Sequence, residues 1–388
     1  MERISDVCSD RRPVFPPPVS EGGRRRRLSV RVALASALVL GLTVGVRAQV
    51  ENAPRPDPDK IADLISHLAR KAKSLTPQER QAWRQLLRMV RADQSVPYVA
   101  REVRQVAQGQ DTEQWLRVNP SVGVRIEGIR PDNKIVLDTP RQAFVYQPRE
   151  RKWFSRPPML PIFRGILGEI LRRVDQGELK ATIDGEDTVA SRPCTIIRIA
   201  PANGVSGPSH RFWIDRGTGL RLKMEVVGQD GRVFTSSYLL SLDLNPRFRS
   251  DDFTPPEGAV VAERSRRSVT FKSLAEAQQA NVDVPEPRYL PNGYTLRTIE
   301  AATRDSKRPR VTLRYSNGLS VISLTRFKSD NLPERLKERL TKSAPGFLPN
   351  PKGPGERAYI WETSGNVFLL FSALPDEEVK RIADQVRP

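Results

Sequence analysis

The chain has 388 residues, 38% of them hydrophobic and 28% charged, with a formal net charge of +19. That length is enough for two ordinary domains with their own cores, and the composition excludes both a disordered chain and a polytopic membrane protein, because no run reaches about 18 uninterrupted apolar residues. Thirty-three Pro and 24 Gly point to many turns and short strands, not to a helical bundle. A basic balance often marks nucleic-acid binding, but here Arg is scattered through every segment without aromatic spacing, so no nucleic-acid partner is expected.

The N-terminus sets the compartment. Arg24, Arg25, Arg26, Arg27 and Arg31 form a positive region ahead of an apolar run from Val32 to Gly45, and Val46-Arg47-Ala48 follows as a cleavage signal. Residues 1–48 therefore read as a signal peptide cut after Ala48, which implies export to the periplasm or cell envelope. Processing removes nine Arg and four acidic residues, so the net charge falls from +19 to +14. It also removes Cys8 and leaves Cys194 alone, so no disulfide framework is expected. No Cys follows the cleavage site, and a soluble mature protein is expected.

Residues 49–94 read as a Pro-rich linker and a helical pair. Asp57 and Pro58 open the first helix, with Ile61, Leu64, Ile65 and Leu68 on one face. Thr76-Pro77-Gln78-Glu79 is a capping box for the second, in which Trp83, Leu86, Leu87 and Val90 recur at helical spacing. This pair is expected to lie as a lid on the domain that follows.

From Pro97 to residue 256 the period becomes that of strands: Tyr98 to Val106, Gln114 to Val118, Val124 to Ile129, Ile135 to Leu137 and Ala143 to Tyr146, separated by turn residues. A helical insertion follows, with Ile162, Ile166, Ile170 and Val174 on one face. Strands resume at Leu179 to Ile183, Thr195 to Ala200, Arg211 to Asp215, Leu220 to Val227 and Val233 to Leu242. This pattern predicts a curved antiparallel sheet. Residues 257–272, crowded with Arg264, Arg266, Arg267 and Lys272, read as a solvated linker. A smaller α+β domain spans 273–388, opened by the capping box Ser273-Leu274-Ala275-Glu276. Its strands are Tyr294 to Ala301, Val311 to Tyr315, Leu319 to Phe327, Arg357 to Trp361 and Val367 to Ser372. Helices are expected at Leu332 to Leu340 and Asp376 to Val386, and a Gly/Pro loop at 345–355.

Catalytic and metal signatures are missing. The only two His, His67 and His210, sit on a polar helix side and at a strand opening, and Cys194 beside Pro193 reads as a buried structural thiol. No paired-Cys metal motif, nucleophile elbow or phosphate-cradling Gly loop occurs, so neither enzymatic activity nor a cofactor or metal is expected.

Several stretches resemble a known family. Pro97 to Glu102, Val124 to Glu127 and Val145-Tyr146-Gln147-Pro148 follow the order of the lipoprotein-carrier-like (LolA-like) domain. Gly185-Glu186-Asp187-Thr188-Val189-Ala190-Ser191-Arg192-Pro193 is similar to a turn of the MucB/RseB branch of that superfamily, with Ser191 where Gly is usual. Phe212-Trp213-Ile214-Asp215 and Thr218-Gly219-Leu220-Arg221-Leu222-Lys223 continue the similarity. Leu290-Pro291-Asn292-Gly293-Tyr294 and Tyr315 to Ser323 resemble the C-terminal domain of the same periplasmic sigma-factor regulators. As sequence, 185–193 and 215–220 are turns between strands, so these motifs mark fold and not chemistry.

The resemblance implies an α+β architecture: a LolA-like half-open β-barrel with covering helices over residues 95–256, followed by the smaller domain. It also implies an acyl lipid or lipoprotein ligand and a membrane-bound anti-sigma factor as partner. An apolar concave sheet suits acyl chains, since each buried methylene contributes ~0.8 kcal/mol without needing polar partners. Val124, Ile126, Val136, Phe144 and Tyr146 are the cavity candidates. Arg264, Arg266, Arg267, Arg308 and Arg310 are the candidates for an acidic partner. A pure lipid or lipoprotein carrier and an envelope polyanion binder are the alternatives.

Overall fold

The computed structural model describes residues 76–386, apart from 107–110, 131–132, 157, 159–168, 203–206, 250, 264–267, 303–309, 318, 333–336, 339, 341–344 and 349–356. The expected signal peptide, the linker and the first helix of the pair (with His67) fall outside this range, as do Ile162 and Ile166.

The second helix of the pair is α1 (Pro77–Ser95), and the capping box does what its spacing requires. The Glu79 N–H donates to Thr76 Oγ1 at 3.3 Å, and the Thr76 N–H donates to the Glu79 carboxylate at 3.1 Å. Pro77 occupies a position whose N–H has no intrahelical acceptor in any case. The helix ends where Val96, held extended ahead of Pro97, leaves the helical region. Its buried face carries Ala82, Trp83, Leu86, Leu87, Met89 and Val90.

Twelve strands form the first sheet: β1 (Tyr98–Val106), β2 (Thr112–Asn119), β3 (Gly123–Arg130), β4 (Ile135–Asp138), β5 (Ala143–Gln147), β6 (Lys152–Arg156), β7 (Leu179–Val189), β8 (Arg192–Pro201), β9 (Ser209–Asp215), β10 (Arg221–Val227), β11 (Val233–Asp243) and β12 (Val261–Glu263). Their order is β12-β6-β5-β4-β3-β2-β1-β11-β10-β9-β8-β7, an open sheet with β12 and β7 at its edges. Every pairing is antiparallel except β12 with β6. Register shifts interrupt the β1–β11, β2–β3, β7–β8, β9–β10 and β10–β11 ladders. Such bulges add local twist and bend, which curves a sheet this wide. The expected curved antiparallel sheet is what the chain forms.

The core of this domain lies where α1 and a short helix, α2 (169–175), meet β7 to β9. Trp83, Leu86 and Val90 pack there with Ile170, Leu171, Leu179, Ile197, Ile199, Phe212 and Ile214. Fully burying one such side chain contributes roughly 1.5–3 kcal/mol. The packed stripe makes α1 a wall of the core at this end of the sheet, where the sequence suggested a lid.

The second sheet has seven strands, β13 (Ser268–Phe271), β14 (Thr295–Ala302), β15 (Arg310–Ser316), β16 (Val321–Lys328), β17 (Gly346–Leu348), β18 (Arg357–Thr363) and β19 (Asn366–Ser372), in the order β13-β14-β15-β16-β19-β18-β17. Two helices, α3 (Leu274–Gln279) and α4 (Asp376–Asp384), accompany it. Ala277 of α3 and Val379, Ile382 and Ala383 of α4 share a core with Ile299, Leu313, Leu324, Phe368 and Leu370.

Four strands depart from the sequence reading: β6, β12, β13 and β17. Each is only three to five residues long, too short for alternation to mark it, and each is made by its neighbour's open edge. The stretch 257–272, expected as a solvated linker, supplies an edge strand to each sheet. Within the expected Gly/Pro loop, Gly346–Leu348 pairs with β18. The motif at 185–193, expected as a bridge between strands, is mostly strand. Only Ala190 and Ser191, with φ of 49° and 58°, form the two-residue turn between paired Val189 and Arg192.

Candidate functional site

The register of β1 to β6 sets side chains of one face in line. Ala100 pairs with Leu116, Leu116 with Ile126, Ile126 with Val136, Val136 with Val145 and Val145 with Phe154. The result is an unbroken apolar row across six strands. It lies on the face that bears α1, because Ala100, Leu116 and Ile126 join Ala92 of that helix in one core cluster. Farther along the row, Ile126, Val136 and Phe154 are only half-buried. Among the described residues, Val136, Val145 and Phe154 belong to no core cluster.

A second row runs beside it through Tyr98, Val118, Val124, Asp138, Ala143 and Arg156. Its far end is polar, where Arg156 Nη2 lies 3.9 Å from the buried Asp138 carboxylate. At its near end, burial pushes the Tyr98 phenol well above its ordinary range. An apolar surface closed at one end by an ion pair suits a chain-like apolar ligand with a polar head.

The structure divides the five cavity candidates. Val124, Ile126 and Val136 lie on the α1 face. Phe144 pairs with Leu137, and Tyr146 pairs with Ile135 and Trp153, so both point to the opposite face. There the chain fills the surface itself. Tyr146 and Trp153 have ring centroids 5.4 Å apart, Arg125 donates to the Asp252 carbonyl at 3.1 Å, and Phe253 packs against Gly123. Leu116, Val145 and Phe154 were missed by sequence reasoning, because alternation in Ala143–Gln147 offers two faces and only the register chooses.

Of the basic candidates, Arg264, Arg266, Arg267 and Arg308 lie outside the described residues. Arg310 opens β15, is 51% exposed at its side chain, and lies 3.7 Å from Glu300.

A seam between the two sheets is the feature with no signal in the sequence. Leu319, in the β15–β16 connection, is buried in the α1 core of the first domain. His210 of β9 bonds its carbonyl at 2.9 Å. The loop is preset by buried Asn317, whose Oδ1 accepts the N–H groups of Leu319 at 3.0 Å and Ser320 at 2.9 Å. A Cβ on Gly207, at φ +150°, would lie 2.7 Å from Asn317 Nδ2, so only glycine admits this approach. Tyr294 and Ser320 share a hydroxyl–hydroxyl bond at the same place.

Cys194 is fully buried, and burial pushes its thiol up to about 11, which makes it an unreactive packing residue. Among the described residues, no helix is long and apolar enough to cross a membrane.

Residues 163–257 match the family model of the MucB/RseB N-terminal domain. The MucA/MucB complex of Pseudomonas aeruginosa shares the fold with a TM-score of 0.55 at 18% identity, covering 79% of this chain and 99% of that one. A crystal structure of MucB in complex with MucA(peri) does so with a TM-score of 0.50 at 19% identity, covering 79% and 98%. No curated protein matches the sequence.

Proposed function

We propose that this chain, of the MucB/RseB type over its first domain and in its two-domain fold, is an exported regulator that binds the extracytoplasmic segment of a membrane-anchored anti-sigma factor. The observation that carries the reading is that one chain reproduces both domains of a protein whose solved structure is a complex with MucA, with the family match falling on β7 to β11. In this reading an acyl lipid or lipoprotein lies along the row from Leu116 to Phe154 on the α1 face, and its occupancy modulates partner binding. Arg310 and the basic residues at 264–267 and 308 meet an acidic partner or an anionic membrane surface, chiefly raising the association rate.

A pure carrier would need only the first sheet. The burial of Leu319 in the first domain's core favours a protein in which both domains act as one unit. The test is direct binding of the secreted full-length chain to the extracytoplasmic segment of the single-span protein encoded beside its cognate sigma factor. Binding that falls with added salt is the expected result. Retention of acyl lipid without any affinity for that segment would favour the carrier.

A further inference from the structure

Three guanidinium groups meet at the seam between the sheets. Arg172 and Arg173 of α2 and Arg297 of β14 face Glu169 and Glu178. Arg172 grips Glu169 through two bonds of 2.8 and 2.6 Å, and Arg297 reaches the same carboxylate across the seam at 3.5 Å. Arg173 is 4% exposed; it gives Nε to Glu178 and Nη2 to the Gly293 carbonyl at 3.4 Å. Burial alone would raise the Glu169 carboxyl, but the bond from Arg172 and the charges of Arg172, Arg297 and Arg173 hold it below the usual carboxylate range. Glu169 is thus a fixed anion.

Two donors in this cluster are unused. Arg173 Nη1 and Arg297 Nε are buried and have no hydrogen-bond partner among the described residues. Buried guanidinium N–H groups are costly to leave without an acceptor. The backbone also aims Arg297 on purpose: Leu296 pairs with Tyr315 and Thr298 with Arg314, so Arg297 is the extra residue of a β-bulge, a device that redirects a side chain. Its side chain is 36% exposed as a whole, whereas that of Arg173 is 5% exposed, so Arg297 is the more accessible of the two.

We propose that this seam is a binding site for an oxyanion of the phosphate type, held by the unused N–H groups of Arg173 and Arg297. Phosphate presents several acceptors and up to two charges, which matches two guanidinium forks arriving from different domains better than a single carboxylate does. The ion is free phosphate or the phosphate of a lipid headgroup. Because its donors come from both sheets, bound anion fixes their mutual position. The site does not depend on the acyl row.

The test uses the secreted full-length chain, with thermal unfolding followed in sodium phosphate and in sodium chloride of equal ionic strength. Phosphate should give a saturable rise on the order of 5 °C at a hundredfold excess over Kd, and chloride should not. Arg297→Gln, on the more exposed side, should weaken phosphate binding at least tenfold, as should Arg173→Lys, while Arg232→Gln, at an exposed turn, leaves it unchanged. Arg297→Gln keeps the test decisive if the buried Arg173 variant fails to fold. Equal shifts in both salts, or unchanged affinity in Arg297→Gln, overturn the proposal. A parallel titration with dihexanoyl phosphatidic acid identifies the source: binding of inorganic phosphate shows that the free ion suffices, binding of the lipid alone assigns the site to a headgroup, and binding of neither overturns it. Acyl retention and partner binding are read separately, so their failure leaves this result standing.

Discussion

His210 and Leu319, 109 residues apart in sequence, join the two sheets through a single 2.9 Å hydrogen bond. A carbonyl oxygen only accepts, so Nε2 of His210 carries a proton when the bond is made, and it is burial that favours the neutral ring. Burial lowers the ring to about 4, the carbonyl of Leu319 pulls the other way, and the charge of Arg221 adds to the lowering.

A pH dependence follows with a defined sign. Between about 4 and the ordinary value near 6.5, the unfolded chain binds a proton that the folded ring refuses, so stability is full above that window and is lost as pH falls through it. The ring keeps partial solvent contact, so about 2 kcal/mol is expected, less than the full shift would imply. Urea unfolding at pH 7 and pH 5 measures the loss, and His210→Gln should flatten it. An unchanged slope in that variant would place the effect elsewhere.

Leu319→Ala removes an apolar side chain of the second domain from the first domain's core. Leu→Ala changes at buried sites cost about 2–5 kcal/mol, and the lower part of that range is expected for a loop residue. Calorimetry should show one cooperative transition in the parent chain resolving into two in the variant. A single transition shifted as a whole would mean that other contacts hold the domains together.

Ser191→Gly should stabilise the chain. Ala190 and Ser191 both occupy the left-handed region, which costs an L-residue roughly 1–2 kcal/mol, part of it offset by glycine's larger loss of chain entropy. A gain of about 0.5–1 kcal/mol in urea unfolding is expected. A loss would show that the Ser191 side chain contributes something the turn geometry does not reveal.

Val136→Asp and Phe144→Gln separate the two faces of β4 and β5. Val136→Asp should abolish retention of acyl lipid in native mass spectrometry with a modest stability change, because its side chain is half-buried in the open part of the row. Phe144→Gln should lower stability and leave lipid retention intact. Retention by both variants would move the ligand off this sheet.

Local signals in the sequence carried the elements that are locally made. The Thr76–Glu79 box starts α1, the Ser364-Gly365 pair turns β18 into β19 with φ of 50° and 68°, and the nine residues of β1 are the strand their alternation predicts. Elements created by a neighbour were not legible: β6 alternates Lys, Phe and Arg against Trp and Ser, and β12 lies in a run of charge. The candidate site fell between these cases. Apolar alternation pointed to β3, β4 and β5, but Ile126 and Val136 face one way and Phe144 the other for reasons of register. The seam had no local mark at all, since Leu319 reads as an ordinary strand residue and Arg297 as an ordinary surface cation.

The passage from β12 to β13 has a mechanical meaning. One strand is zipped in parallel onto β6 of the first sheet, and four residues later the next is zipped onto β14 of the second. A pull on the second domain is therefore shared between the seam at Leu319 and the three-residue ladder of β12 on β6, where Val261 faces Trp153. A partner that drags the domains apart must peel β12 as well as withdraw Leu319 from the first domain's core, and peeling β12 uncovers the edge of β6 at the end of the apolar row, beside Phe154. Tension between the domains would in this way reach the apolar row through an edge strand that works as a latch.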